Sequence, residues 1–167
     1  MELKLSQKIT ITAVLVALAL VLSFVERSIP NPLSGMGVKL GLANVVVVLA
    51  LYLLNVRLAF SVGLVKSLAG MLLFTGMGGF LYSFAGFLFS FAVMSAAQKM
   101  NRFSIIAISG LGGVFFNIGQ LLVGLLLLKN TAFLYYFPFL IAMGLITGLM
   151  IGLISYFTIT WLTKIEP

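Results

Sequence analysis

The run ITITAVLVALALVLSFV, residues 9–25, contains no charged side chain and predicts a helix that crosses a membrane. A spanning helix needs about 20 mostly apolar residues, because each residue adds about 1.5 Å along the helix axis. The run is too long for the core of a signal peptide and lacks a convincing small-residue cleavage site. We therefore expect it to remain in the protein.

The composition of the whole chain agrees with this first run. Hydrophobic residues make up 62% of the 167 residues and charged residues 8%, whereas soluble domains have about 45–50% and about 25%. A soluble fold of this length would leave too much apolar surface in water. No Pro-, Gly- or Ser-rich linker divides the chain, so we expect a single transmembrane domain over residues 1–167.

Five further apolar runs follow the first, and together they predict an all-α, polytopic bundle of six transmembrane helices. Turn-forming segments separate the runs, including SIPNPLSGMG after Arg27 and TGMGG at residues 75–79. The predicted spans after the first are residues 38–54, 58–74, 80–97, 104–128 and 134–162.

The distribution of basic residues predicts the topology, because cytoplasmic segments carry an excess of Lys and Arg. A cytoplasmic N-terminus would place six basic residues inside and three outside, which predicts a multi-pass protein of the cell membrane with both termini in the cytoplasm. The inside residues are Lys4, Lys8, Arg57, Lys99, Arg102 and Lys164, and the outside residues are Arg27, Lys39 and Lys129.

Missing residue types argue against an enzyme. The chain has no Cys, His or Asp, and its only acids are Glu2, Glu26 and Glu166. Thiolate and imidazole metal sites, and catalysis by paired carboxylates, are therefore not expected. We predict no metal, no cofactor and no nucleotide hydrolysis, since no phosphate-binding G-x-x-x-x-G-K-[ST] loop occurs. Nucleic-acid binding is not expected either, because the basic residues form no cluster with aromatics.

Lys66 is the clearest polar residue within an apolar run. It lies eight residues into the third predicted span, about 12 Å along the axis, and shares a helix face with Gly63 and Gly70. A charge at this depth costs at least about 2.5 kcal/mol, so such residues usually face a cavity or a partner. Lys66 is therefore a candidate substrate-binding residue. The alternatives are snorkelling to an interface and a structural hydrogen bond to another helix.

Other polar residues extend this candidate site. The fifth predicted helix carries Asn117 and Gln120 on one stripe, and the second opens with Lys39 and places Asn44 about 1.5 turns deeper. These side chains could bind a ligand, but the two amides could equally join neighbouring helices. Arg27 and Lys39 outnumber the one nearby acid, Glu26, so an outward-facing pocket would favour anions with an apolar body. Glu26 could pair with Lys39 or Arg27, or could cap a solvated helix end.

Two sets of small residues at helical spacing predict close helix contacts. Ala13 and Ala17 lie one turn apart on the first helix, and Gly144, Gly148 and Gly152 form a stripe on the sixth. Such stripes let helix backbones approach closely in lipid. Ordinary packing within the bundle is an equally good explanation for the glycine stripe.

Four segments resemble a known membrane family, heptaprenyl diphosphate synthase component I, also called the Gx transporter family. The resemblance covers nearly the whole chain in the same order. The family is similar in size and span number to the substrate-binding S components of energy-coupling factor (ECF) transporters. The segments are GVKLGLANVVVVLALYLL, LVKSLAGMLLF, FLYSFAGFLFSFAVM and FNIGQLL, which begin at residues 37, 64, 80 and 116.

This resemblance implies a set of partners and a site. In S components an Ala-x-x-x-Ala motif on the first helix docks onto a coupling transmembrane subunit, and Ala13 with Ala17 matches that motif. Two ATPase subunits would supply the energy. The substrate would lie in the outer half of the bundle. The residues that the resemblance places near the substrate are Lys39, Asn44, Asn117 and Gln120.

The chain departs from the family pattern at two positions. Phe116 stands where relatives often carry His before the Asn of NIGQ, and Lys66 stands where they often carry Arg. A haem ligand, if that His contacts it, would then need another axial group or none. Prenyl-chain synthesis uses Asp-rich magnesium sites, so this chain without Asp cannot supply that chemistry alone.

The sequence therefore favours a substrate-capture subunit for ATP-driven uptake of a small, anionic and amphipathic micronutrient. Two alternatives remain open. One is a non-catalytic membrane subunit of isoprenoid, heptaprenyl diphosphate or quinone synthesis. The other is a structural or assembly protein without a ligand.

Overall fold

The computed structural model describes residues 5–29, 41–128 and 131–165, and in these ranges it contains helices and no strands. A π-helical turn, Met71–Thr75, joins α3 to α4, and a 3-10 turn, Thr131–Tyr136, precedes α6. The α-helices are α1 (Leu5–Ser28), α2 (Leu42–Leu53), α3 (Val56–Gly70), α4 (Gly76–Lys99), α5 (Ile105–Leu128) and α6 (Phe137–Ile165).

The all-helical fold is confirmed, but the predicted count of six spans is not. Four described helical segments are long and apolar enough to cross a membrane, while α2 has only 12 residues. At about 1.5 Å per residue α2 is about 18 Å long, well short of the roughly 30 Å hydrocarbon core. The four segments are Ser6–Ser28, Val56–Lys99, Ile105–Leu127 and Leu134–Lys164.

The third and fourth predicted spans form one helical run of 44 residues that reverses its direction. The ring of Phe60, early in α3, lies 5.6 Å from Phe87 and 5.5 Å from Phe91 in α4. These contacts require α3 and α4 to be antiparallel. The reversal falls at Gly76, whose φ of +61° favours glycine. The predicted turn at residues 75–79 is therefore present as a bend within continuous helix.

Helix α2 lies at the centre of the hydrophobic core. Every residue from Val45 to Leu51 is buried, so the helix has no polar face and must be enclosed by other helices. It packs against α1, α3 and α6. The sequence predicted a span over residues 38–54, whereas α2 begins at Leu42 and residues 38–40 lie outside the described residues.

Glycines bring α5 and α6 into backbone contact. A Cβ added to Gly113 would collide with the carbonyl oxygen of Gly144, and one added to Gly148 would lie 2.6 Å from the carbonyl oxygen of Ser109. A Cβ added to Gly152 would lie 2.7 Å from the Cα of Ile106. The stripe of Gly144, Gly148 and Gly152 is therefore a packing surface within the bundle, which was one of its two predicted roles.

We predict that Gly148→Ala lowers stability, because the added methyl group must separate two backbones already in contact. The expected cost is about 1–3 kcal/mol, as for other overpacked sites. Gly70→Ala is the matched control, since an added Cβ there meets nothing within 4 Å and alanine favours helix. Thermal unfolding in detergent checks the difference, and equal melting temperatures for the two variants would contradict the role assigned to Gly148.

Candidate functional site

Two of the predicted site residues, Lys66 and Asn44, are in direct contact. The Lys66 Nζ donates a hydrogen bond of 2.6 Å to the Asn44 Oδ1. Lys66 projects from α3 and Asn44 from the first turn of α2, and both side chains are half-buried. The bond therefore fixes an ammonium group between two helices inside an otherwise apolar bundle. Hydrogen bonds from charged donors are stronger than neutral ones.

The glycines around Lys66 have different roles from those predicted. Gly63 was expected to share a small, polar face with Lys66, but its missing Cβ makes room for the Phe87 ring of α4. Gly63 is therefore a contact point between α3 and α4. Gly70, one turn beyond Lys66, has open space around it. Of these two glycines, Gly63 is therefore closed by the Phe87 ring, and Gly70 alone leaves open space beside α3.

Glu26 belongs to the same region, although the predicted site did not include it. Its Oε1 accepts a hydrogen bond of 2.8 Å from the backbone N–H of Gly41, the residue before α2. This contact involves neither Arg27 nor a fully solvated helix end, because Glu26 is half-buried. A pairing with Lys39 lies outside the described residues. The signal in the sequence was that Glu26 is the only acid away from the chain ends.

The backbone at Gly41 links Glu26 to Asn44. Gly41 has a φ of +76°, a conformation that glycine adopts without strain. Its carbonyl oxygen accepts a hydrogen bond of 2.7 Å from the N–H of Asn44. A chain of contacts thus runs from the end of α1, through the first turn of α2, to Lys66 on α3.

Arg27 lies away from this pair. Its guanidinium carbon is 5.1 Å from the centre of the Phe74 ring, and Phe74 is eight residues beyond Lys66, about 12 Å along the helix. The geometry is that of a cation–π contact, which holds the end of α1 to the π-helical turn between α3 and α4. A substrate-binding role for the exposed Arg27 stays a prediction.

The amides on α5 differ from each other. The Asn117 Nδ2 donates a hydrogen bond of 2.6 Å to the carbonyl oxygen of Leu140 on α6, and Asn117 is buried. This bond is the helix-bridging role given as an alternative for Asn117. Gln120 is half-buried, and its side chain makes no hydrogen bond with a described residue. The Phe116 ring packs against Gly86 of α4. Lys39 lies outside the described residues.

Ala13 and Ala17 lie on the outer surface of the described bundle. Both are exposed, and so are their neighbours Val14 and Leu18. The opposite side of α1, with Leu15 and Ala19, is buried against the core. The alanine pair is thus accessible to another membrane helix, as a docking role requires.

The donors in the Lys66 region suit an anion better than a metal ion. An ammonium group and an amide N–H₂ offer hydrogens, whereas metal ions need lone pairs. Among the described residues no three His, Cys, Asp or Glu side chains lie close enough to hold a metal. A carboxylate or phosphate is the chemical group that this arrangement can recognise.

We predict that Glu26→Ala destabilises the protein by about 1–3 kcal/mol, because it leaves the Gly41 N–H without its acceptor in an apolar environment. Glu26→Gln keeps an oxygen acceptor of the same length and is expected to lose less than half as much. Thermal unfolding of both variants in detergent measures this difference. If the two lose equal stability, the negative charge of Glu26 matters rather than its hydrogen bond.

Comparison with known proteins identifies the family. No curated protein and no solved structure matches the chain. One family model, described as heptaprenyl diphosphate synthase component I, matches residues 15–158. The match runs from the middle of α1 to near the end of α6, and includes Asn44 and Lys66. The chain therefore belongs to the heptaprenyl diphosphate synthase component I family.

Proposed function

We propose that the protein binds a small anionic molecule with an apolar body inside the membrane and is itself not a catalyst. The hydrogen bond between Lys66 and Asn44 is the observation that carries this proposal. A lysine within an apolar helix is costly, and such residues generally mark a ligand or ion site. Here the ammonium group is held by an amide of a second helix, so its position is set before a ligand arrives.

The family description favours a role in isoprenoid synthesis. A prenyl diphosphate is an anion with a long apolar chain, which is the ligand class that a fixed ammonium in an apolar bundle suits. The chain has no Asp, so the magnesium-dependent condensation itself would belong to another subunit. In this role the protein is a non-catalytic membrane subunit that retains a lipid-like substrate or product.

The exposed alanine pair supports a second role, as the S component of an ECF-type uptake transporter. Ala13 and Ala17 present a small-residue face one turn long on the outside of α1, and such faces let another helix approach closely. The coupling transmembrane subunit would dock there, and two ATPase subunits would provide the energy. The cargo would be a small anionic, amphipathic micronutrient captured from outside the cell.

The helix directions and the basic residues support a cytoplasmic N-terminus. The Glu26–Gly41 bond joins the end of α1 to the start of α2, and the Gln98 Nε2 on α4 donates to the Leu51 carbonyl oxygen at 2.9 Å. The start of α1 thus lies at the same end of the bundle as the end of α4. This end carries Lys8 and Lys99, as cytoplasmic ends do.

Purification of the protein from its own membranes tests both roles together. The uptake role predicts a stable complex with a coupling subunit and two ATPases, and the synthesis role predicts a complex with a prenyltransferase. Native mass spectrometry of the same sample should reveal a retained anionic molecule in either case. A protein that retains no small molecule and copurifies with neither class would contradict the proposal.

We predict that Ala13→Leu combined with Ala17→Leu abolishes a complex with a coupling subunit, because the larger side chains keep the second helix away. Ala92→Leu combined with Ala96→Leu is the matched control, since these two alanines of α4 are also exposed and lie one turn apart. Size-exclusion chromatography of the copurified complexes gives the result. A normal complex with the doubly substituted protein would exclude docking at this pair.

We predict that Lys66→Met reduces retention of the anionic ligand by about 10- to 100-fold, the loss expected for a hydrogen bond to a charged group. Lys66→Arg keeps the charge and should retain most of the binding. Lys99→Met removes an exposed lysine elsewhere and should have no effect. Native mass spectrometry measures retention, and unchanged retention in a folded Lys66→Met protein would remove Lys66 from the site.

A further inference from the structure

A groove with a volume of about 480 Å³ lies along the last turns of α6. All of its lining comes from this one helix, so it opens directly to the surroundings of the bundle. The residues that line it are Phe157, Thr158, Thr160, Trp161 and Lys164.

The groove changes from apolar to cationic along its length. Phe157, Trp161 and Lys164 have the spacing i, i+4 and i+7, which places them on one helix face. Phe157 is 62% exposed and Trp161 is 65% exposed, so neither contributes to the core. Lys164 is exposed in the last turn of the helix. An apolar molecule with a negatively charged end would match this order.

Three polar groups in the groove have no partner among the described residues. They are the Thr160 hydroxyl, the Trp161 indole N–H and the Lys164 ammonium group. Thr158 differs, because its hydroxyl already donates to the carbonyl oxygen of Ile154 at 2.8 Å. The indole and the ammonium can only donate, and the hydroxyl can donate as well. A group rich in acceptor oxygens, such as a phosphodiester, complements this set.

We propose that this groove binds an anionic phospholipid. The phosphate lies between the Thr160 hydroxyl and Lys164, and an acyl chain runs along Trp161 and Phe157. A lipid fits better than free phosphate, because free phosphate would make no contact with the aromatic part of the groove. In addition, indole rings favour the membrane interface. The binding is independent of the ligand site at Lys66.

The single tryptophan of the chain makes the groove directly measurable. The full-length protein is reconstituted into vesicles of brominated phosphatidylcholine, which quenches nearby tryptophan fluorescence, with increasing amounts of unbrominated phosphatidylglycerol. Trp161 should recover its fluorescence at a lower phosphatidylglycerol fraction than random mixing predicts. The expected preference is about fivefold, the effect of one lysine near an anionic lipid surface. It should decrease at 0.5 M NaCl because salt screens the charge.

Variants separate the groove from the general charge of the protein. Lys164→Gln should bring the preference close to one, and Thr160→Val should reduce it partly. Lys99→Gln removes a lysine from the last turn of α4 instead and should leave the preference unchanged. Inorganic phosphate added to phosphatidylcholine vesicles should not alter Trp161 fluorescence. Equal recovery for both lipids in the native chain, an equal effect of Lys99→Gln and Lys164→Gln, or a response to phosphate alone would each overturn the proposal.

Discussion

The fold depends on the hydrogen bonds that the backbone groups at the two ends of α2 form with other helices. This helix is buried from Val45 to Leu51 and is too short to reach water at both ends, so its terminal N–H and C=O groups need partners from the protein. Glu26 of α1 accepts from Gly41 at one end, and Gln98 of α4 donates to the Leu51 carbonyl at the other. Two polar side chains from different helices thus hold the central helix in place.

The position of α2 in turn determines where a charge can lie in the bundle. Asn44 is in the first turn of α2, three residues after the Gly41 that Glu26 holds, and its side chain accepts a hydrogen bond from Lys66. Among the described residues, the contact between α5 and α6 contains no charged group. Glycines bring the two backbones together, and the Asn117 amide donates a hydrogen bond to the Leu140 carbonyl oxygen. The charged contacts therefore lie among α1, α2 and α3, while α5 and α6 form a close-packed support.

The class of fold and several individual polar residues of the candidate site could be predicted from the sequence. The hydrogen-bond partners of those residues could not. Apolar runs predicted helices because a membrane leaves few other structures, and TGMGG predicted the reversal that Gly76 makes. The length of α2 was not predictable, since residues 38–54 are equally apolar whether they span the bilayer or lie enclosed. Lys66 and Asn44 were each identified by their polarity, but their contact depends on the packing of α2 against α3. The role of Glu26 was missed because its partner is a backbone N–H, which leaves no trace in the sequence.

Helix α1 is the element that connects the two surfaces on which the proposed function rests. Its last turn carries Glu26, which holds the start of α2, and Arg27, which lies over Phe74 in the π-helical turn after α3. Its middle carries the exposed Ala13 and Ala17. The proposed ligand site at Lys66 and the proposed docking face at Ala13 and Ala17 are therefore joined by α1 itself, through the Glu26–Gly41 and Gly41–Asn44 hydrogen bonds.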